Sequence, residues 1–204
     1  MMKKIGIFAG TFDPVHEGHI AFAYAALEQG LEKVMFLPEP RPRRKQGVRA
    51  LEHRIAMVQL AVAKEPRFGT IVLEQARFTA EETLPVLRAR FVGYKLVLLF
   101  GDDVVAHMAG WPHIEALIQS TELMIASRHE NTKELEATLQ SLQKTRNIVF
   151  TYQIVHPQQE EVTSSKIRLG IKHGKQVHGV APTVLEYMQK HKLYTSDSST
   201  SLED

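Results

Sequence analysis

Two histidines three residues apart, His16 and His19, follow the turn Gly10-Thr11-Phe12-Asp13-Pro14, which itself follows the apolar run Ile5-Gly6-Ile7-Phe8. A buried strand that runs into a small-residue turn and then into a helix gathers main-chain N–H groups and imidazoles at one helix start. That setting suits the phosphates of a nucleotide. Gly10 permits a tight turn and a close backbone approach. Thr11 and Phe12 offer amide hydrogens in the same concavity, Pro14 stiffens the turn, and Gly18 lets a ligand come near the helix start. If the helix begins by His16, residues 16 and 19 face one side. Their rings, as imidazolium ions or as neutral N–H donors, would stabilise charge that builds on a phosphate during its transfer. Two other readings stand beside this one. The pair could bind a metal, although no cysteine and no patterned third ligand accompanies it, or both rings could be plain surface residues.

The elements that must position this string read as alternating strands and helices. Residues 3–8 have the pattern of a buried strand and 18–29 that of an Ala-rich helix, with Gly30 as its stop. A second strand spans 33–37. Pro38, Pro40 and Pro42 then impose a loop over 38–47 that carries Arg41, Arg43, Arg44 and Lys45. A helix over 51–63, a strand over 70–73 and a helix from about Glu81 come next. Residues 95–100 make the clearest central strand, stopping at Gly101-Asp102-Asp103. Beyond it lie a helix around 111–118, a strand over 123–126, a helix over 133–143, a strand over 148–155, and helices over 164–173 and 182–192. The Ser-rich acidic tail at 196–204 has the composition of a disordered segment.

Strands alternating with helices imply a doubly wound parallel α/β sheet of the Rossmann-like kind, with helices on both faces. Ligands bind such sheets beyond the carboxyl ends of the strands. Two strands end in candidate functional residues, one at Gly10–His19 and one at Gly101–Asp103, which points to one shared site. A single domain over 1–195 is expected, its C-terminal helical part at about 160–195.

Composition narrows the class. A net charge of +2 over 204 residues is too small for a dedicated nucleic-acid binder. With no cysteine, the chain has no disulfide, no Cys-ligated zinc and no thiol nucleophile, as befits a reducing cytosol. Polar residues arrive too soon after Met1-Met2-Lys3-Lys4 for a signal peptide, and no run reaches the length of a membrane span. The expectation is a cytoplasmic protein of small-molecule substrates, with neither nucleic acid nor membrane as partner, and with a homo-oligomer left open.

Gly10 to His19 resembles the HxGH signature of the nucleotidylyltransferase superfamily. Within it the chain is similar to the nicotinate-nucleotide adenylyltransferase family from about Lys3 to Tyr194. The basic loop ending Arg44-Lys45-Gln46 resembles that family's Pro-Pro-His-Lys loop, and His53-Arg54 its His-Arg pair. Gly101-Asp102-Asp103 resembles its Gly-Ala-Asp, Val162-Thr163-Ser164-Ser165-Lys166-Ile167-Arg168 its Ser-Ser-Thr-x-Ile-Arg, and Pro182, Val184, Tyr187, Leu193 and Tyr194 its C-terminal pattern. The chain departs from the family at Ala9, at Arg44, and over Phe78-Thr79-Ala80-Glu81-Glu82-Thr83, where the family carries Ser-Tyr-Thr before an acidic residue and a threonine.

The resemblance implies ATP and a pyridine mononucleotide as substrates and a dinucleotide and pyrophosphate as products. The acceptor phosphate would attack in line without a covalent enzyme intermediate, and Mg²⁺ would arrive on the triphosphate. By the same resemblance His16, His19, Lys45 and Arg168 are the catalytic residues, with Arg43 or Arg44 assisting Lys45. Gly10, Thr11, Phe12, Gly18, Gly101, Asp103, Ser164 and Ser165 bind ATP, and Trp111, Arg128 and Thr83 the acceptor. No protein-held metal is implied. Plainer roles remain open: Asp103 as a helix N-cap, one of Thr163, Ser164 and Ser165 as another, the basic loop as a solvated surface, and Trp111 as a core residue. So do other acceptors for the same chemistry, a nucleotide-binding sensor without turnover, and an RNA-binding use of the fold.

Overall fold

The computed structural model describes residues 2–42, 45–73, 78–158 and 162–195. Arg43, Arg44 and the 196–204 tail lie outside them. Six strands, β1 (Lys3–Gly10), β2 (Lys33–Pro38), β3 (Phe68–Thr70), β4 (Tyr94–Gly101), β5 (Glu122–Ala126) and β6 (Tyr152–Val155), form one sheet. Its order is β3-β2-β1-β4-β5-β6, and every neighbouring pair is parallel. Strand order reverses between β1 and β4, so the crevice at their carboxyl ends is the place where this fold receives ligands.

The alternation of the strands divides the core in two. Ile5 and Ile7 of β1 and Leu96, Leu98 and Phe100 of β4 face one side. There they meet helices α3 (Thr83–Arg90), α4 (Asp102–Met108), α5 (Ile114–Gln119) and α6 (Lys133–Arg146). Phe8, Val97 and Leu99 face the other side, against α1 (Glu17–Glu28), α2 (Leu51–Val62) and α8 (Pro182–Lys190). The remaining helix, α7 (Ser164–Lys172), buries Ile167 and leans Ile171 on the second cluster. The doubly wound parallel sheet expected from the sequence is the one the chain forms.

Three elements differ from the expectation. The strand expected at 70–73 pairs at Phe68–Thr70 instead; Ile71 and Leu73 are buried, but beyond the ladder. The strand expected at 148–155 pairs only from Tyr152, opposite Leu123, because β5 begins at Glu122 and has no residues to face 148–150; Ile148 and Phe150 are core residues outside the sheet. The helix expected around 111–118 is α5, which starts only at Ile114, and a separate helix not expected from the sequence, α4, precedes it. The α4 helix begins directly at Asp102, where acidic residues complement a helix N-terminus. Trp111, restricted by the following Pro112, lies in the bend before α5.

Candidate active site

The turn after β1 and the start of α1 form one interlocked unit. His16 is the N-cap of α1 and His19 its third residue. The Nδ1 of His16 accepts from the N–H of Gly18 at 3.1 Å, and the Nδ1 of His19 accepts from the N–H of His16 at 3.1 Å. A ring nitrogen that accepts carries no hydrogen, so each neutral imidazole holds its proton on Nε2 and is a donor there. The rings stack at 3.7 Å between centroids. Burial, with Arg128 nearby, lowers the His16 pKa to about 4. Burial drives that of His19 well down too, helped by His16, Lys45 and Arg128. Of the two protonation states the sequence left open, the structure selects the neutral donors.

Beneath them the Phe12 side chain is 1% exposed and packs edge-on to His19, with centroids 5.0 Å apart. A Cβ on Gly10 would sit 2.9 Å from that ring, which is why a glycine stands there. Phe12, at φ +50°, can thus meet a ligand only through its main chain.

Successive carbonyls of the turn are taken by distant elements. Gly10 O accepts from the N–H of Glu39 at 2.9 Å, and Thr11 O from Arg54 Nη1 at 2.9 Å. Asp13 O accepts from Arg168 Nη1 at 2.7 Å, and Pro14 O from Ser164 Oγ at 2.9 Å. In a planar trans peptide the C=O of one residue and the N–H of the next point opposite ways. The N–H groups of Thr11 and Phe12 are thereby turned away from Glu39 and Arg54. Arg54 itself is 1% exposed and also donates to the carbonyls of Arg49, Glu39 and Pro40. Burial lowers its pKa, and Asp13, Tyr194, Glu39 and Glu52 oppose the shift.

At the end of β4, Gly101 is the N-cap of α4, so the cap reading of Asp103 does not hold. A Cβ on Gly101 would lie 2.5 Å from the Asp103 carboxylate, which therefore occupies the space the glycine leaves. Asp102 turns elsewhere. Its Oδ1 accepts from the N–H of Asp103 at 2.9 Å, and its Oδ2 from the N–H of Arg128 at 3.2 Å, fastening the end of β5 to that of β4. Lys45 and Arg128 are exposed, and the charge of each bears on His19.

The α7 residues act as braces. Thr163 is the N-cap, accepting from the N–H of Lys166 at 3.2 Å. Ser164 ties to Pro14, and Arg168 Nη2 donates to Ser165 Oγ at 3.2 Å while its Nη1 holds Asp13. In this structure Ser164 and Arg168 therefore grip the turn directly.

Of the expected acceptor residues, Arg128 bears on the histidines, whereas Trp111 and Thr83 belong to the side of the sheet covered by α3 and α5. Trp111 is half-buried, edge-on to Phe100 at 5.6 Å. Thr83 is 0% exposed, and its Oγ1 accepts from the N–H of Thr79 at 3.0 Å; Thr79 Oγ1 in turn accepts from the N–H of Glu82 at 3.2 Å. In this structure the Thr83 hydroxyl fastens the loop and is covered on every side. Glu81, exposed, pairs with His113 Nε2 at 2.6 Å across the gap between the 78–83 segment and the bend at Trp111.

Three residues of this site have no role in the sequence reading: Arg54, Asp13 and Tyr194. For Arg54 a signal existed. It falls on the buried stripe of α2 with Met57, Val58 and Val62, and an arginine on an apolar stripe asks for polar partners.

Residues 7–170 match the family model described as cytidylyltransferase-like. A protein of Neisseria gonorrhoeae described as probable nicotinate-nucleotide adenylyltransferase is 34% identical over 95% of this chain and 99% of its own length. One of the same description from Trichormus variabilis is 34% identical over 97% and 100%. The fold matches Plasmodium falciparum nicotinic acid mononucleotide adenylyltransferase complexed with NaAD, with a TM-score of 0.74 at 18% identity over 94% of this chain and 97% of that one. With relatives at this identity aligned along nearly their whole length, the chain belongs to the cytidylyltransferase-like family and, within it, to the nicotinate-nucleotide adenylyltransferases.

Proposed function

We infer that the chain transfers the adenylyl group of ATP to nicotinate mononucleotide, forming nicotinate adenine dinucleotide and releasing pyrophosphate. A phosphate oxygen of the acceptor attacks the α-phosphorus of ATP, the bond from that phosphorus to the bridging oxygen of the β-phosphate breaks, and pyrophosphate leaves with the electron pair. No side chain is consumed, so catalysis consists of alignment and charge stabilisation.

The observation that carries this reading is the reciprocal histidine cap. Two neutral Nε2–H donors, fixed by their own helix start, sit beside a turn whose Thr11 and Phe12 N–H groups are turned from their anchors. Such donors need no reorganisation as negative charge grows on the α-phosphate. Lys45 and Arg128 supply mobile positive charge for the departing pyrophosphate and the incoming phosphate. Asp103, at the β4 end, suits a ribose hydroxyl, and Trp111 gives a flat face for the pyridine ring. Mg²⁺ enters as part of the MgATP substrate, because a hard cation prefers phosphate oxygens to a pair of imidazoles.

The test is to incubate the protein with MgATP and either nicotinate or nicotinamide mononucleotide, following pyrophosphate and product mass. Dinucleotide from the nicotinate substrate is expected at far higher kcat/KM. Preference for another acceptor would keep the adenylyl transfer and overturn the acceptor; retained ATP affinity with no pyrophosphate from any acceptor would favour a sensor.

A further inference from the structure

The C-terminal end of the described chain reaches the turn that the reaction depends on. Tyr194 Oη donates to Asp13 Oδ1 at 2.6 Å, between residues only 5% and 3% exposed and 181 positions apart in sequence. Nothing local makes that contact. Leu193 anchors the approach, buried among the α2 and α8 side chains, with its N–H donating to Met188 O at 2.9 Å. Lys192 and Tyr194 both adopt positive φ, +50° and +63°, which ordinary side chains rarely do. The Arg49 guanidinium lies 5.3 Å from the centre of the Tyr194 ring. The chain end is thus held in an unfavourable backbone conformation by contacts that deliver one hydroxyl to one carboxylate.

That carboxylate belongs to the residue whose carbonyl Arg168 grips and which stands three positions before His16. Asp13 is therefore fastened on both sides, by Arg168 through its main chain and by Tyr194 through its side chain. We propose that Tyr194 is a positioning residue of the phosphate turn, setting through Asp13 the orientation in which the His16 and His19 donors meet the α-phosphate. The proposal rests on the reaction inferred above. Its consequence is that residues close to the end of the described chain, far from α1 in sequence, complete the site.

A hydroxyl that served packing alone would affect stability and leave the split between binding and turnover untouched. A hydroxyl that sets donor orientation lowers kcat and spares the KM for MgATP, since misplacement is felt most in the transition state. Tyr194→Phe keeps the ring and removes only the donor. Its kcat should fall about tenfold or more, with the KM for MgATP within about twofold. Asp13→Asn retains an acceptor for the Tyr194 hydroxyl and should keep more of the activity than Asp13→Ala.

The readout that does not depend on turnover is the ¹⁵N spectrum of the imidazoles. In Tyr194→Phe the His16 and His19 ring signals should move from their wild-type positions, in the free protein and with a non-hydrolysable ATP analogue. If wild type is inactive on nicotinate mononucleotide but these signals move, the reaction proposed above fails and the positioning role stands. Unmoved signals, or a loss of melting temperature with kcat and KM unchanged, would return Tyr194 to packing alone.

Discussion

The two halves of this site are built on opposite principles. Around the phosphate turn, the carbonyls of Gly10, Thr11, Asp13 and Pro14 are held by Glu39 just beyond β2, by α2 and by α7, the histidines cap their own helix, and the floor is a buried aromatic ring. On the side proposed for the acceptor, segment 78–83 meets the Trp111 bend through a pair whose side chains are 55% and 61% exposed, Glu81 and His113. One half is braced by buried contacts before ligand arrives, and the other, though rooted in the core, is joined by a pair that lies in solvent. The difference follows from the task. Stabilising charge in a transition state rewards dipoles that need no movement, whereas recognising a pyridine ring requires an opening through which it enters.

The sharpest way to break the comparison is at His19. His19→Ala should lower kcat by about 10²- to 10³-fold, with ATP affinity measured by calorimetry changing less than about threefold. An equal loss of affinity and turnover would mean that the ring serves ground-state binding, and the fixed half would lose its catalytic meaning.

Next in size is Arg54. Its guanidinium donates to four main-chain carbonyls and is 1% exposed, so Arg54→Met strands buried acceptors that methionine cannot serve. Denaturant unfolding should show a loss of about 3 kcal/mol or more. Lysine at this position would not restore it, having three donors on one nitrogen in place of a planar fork. A loss under about 0.5 kcal/mol would show that these contacts do not hold the turn.

What could be read from the sequence follows the same division. The β4 strand and the string from Gly10 to His19 are legible because neighbours along the chain carry the signal: an apolar run, a glycine turn, two rings at helical spacing. Ser164 and Arg168 stand out by motif, but what each brace holds is not legible, because nothing near Asp13 in sequence foretells that Arg168 or Tyr194 meets it, and nothing near Thr11 foretells Arg54. Thr83 shows the converse difficulty. A threonine in the right motif position suggests a ligand contact, but burial depends on how α3 packs, and that packing is decided by Leu84 and Leu87 against the sheet. Likewise Ile148 and Phe150 have the residue types of a strand, and only the length of β5 excludes them from the ladder.

Acid provides a third test, smaller in effect and specific to the fixed half. The His16 pKa lies near 4 in the folded protein against 6.5 when unperturbed, and that of His19 is lowered as well. Above about pH 6.5 neither folded nor unfolded chain protonates them. As pH falls below that value the unfolded chain takes up protons that the folded one refuses, so stability declines from about 6.5 down towards 4. The expected slope approaches about 1.4 kcal/mol per pH unit for each ring. Melting temperature should fall between pH 7 and 5, before the carboxylates titrate, while ¹⁵N spectra hold both rings as the Nε2–H tautomer. Ring protonation near pH 6.5 would contradict the neutral pair.

The smallest effect should come from the open half, and it bears on the acceptor. Glu81 places a carboxylate beside the segment at which a nicotinate carboxylate would arrive, and its partner His113 stands two residues beyond Trp111. Exposed pairs of this kind contribute about 0–1 kcal/mol, so Glu81→Gln should leave stability within about 0.5 kcal/mol of wild type. The substitution removes a like charge from the path of the acid substrate and frees His113 to face it. The KM for nicotinate mononucleotide should drop about two- to threefold, more at low salt than at high, with that for nicotinamide mononucleotide unchanged. A fall for both acceptors alike would trace the effect to opening of the segment, and a rise for the acid would show that Glu81 holds the loop in its receiving shape. In either case the acceptor half would share the rigidity of the phosphate turn, and the contrast between them would narrow to a difference in exposure.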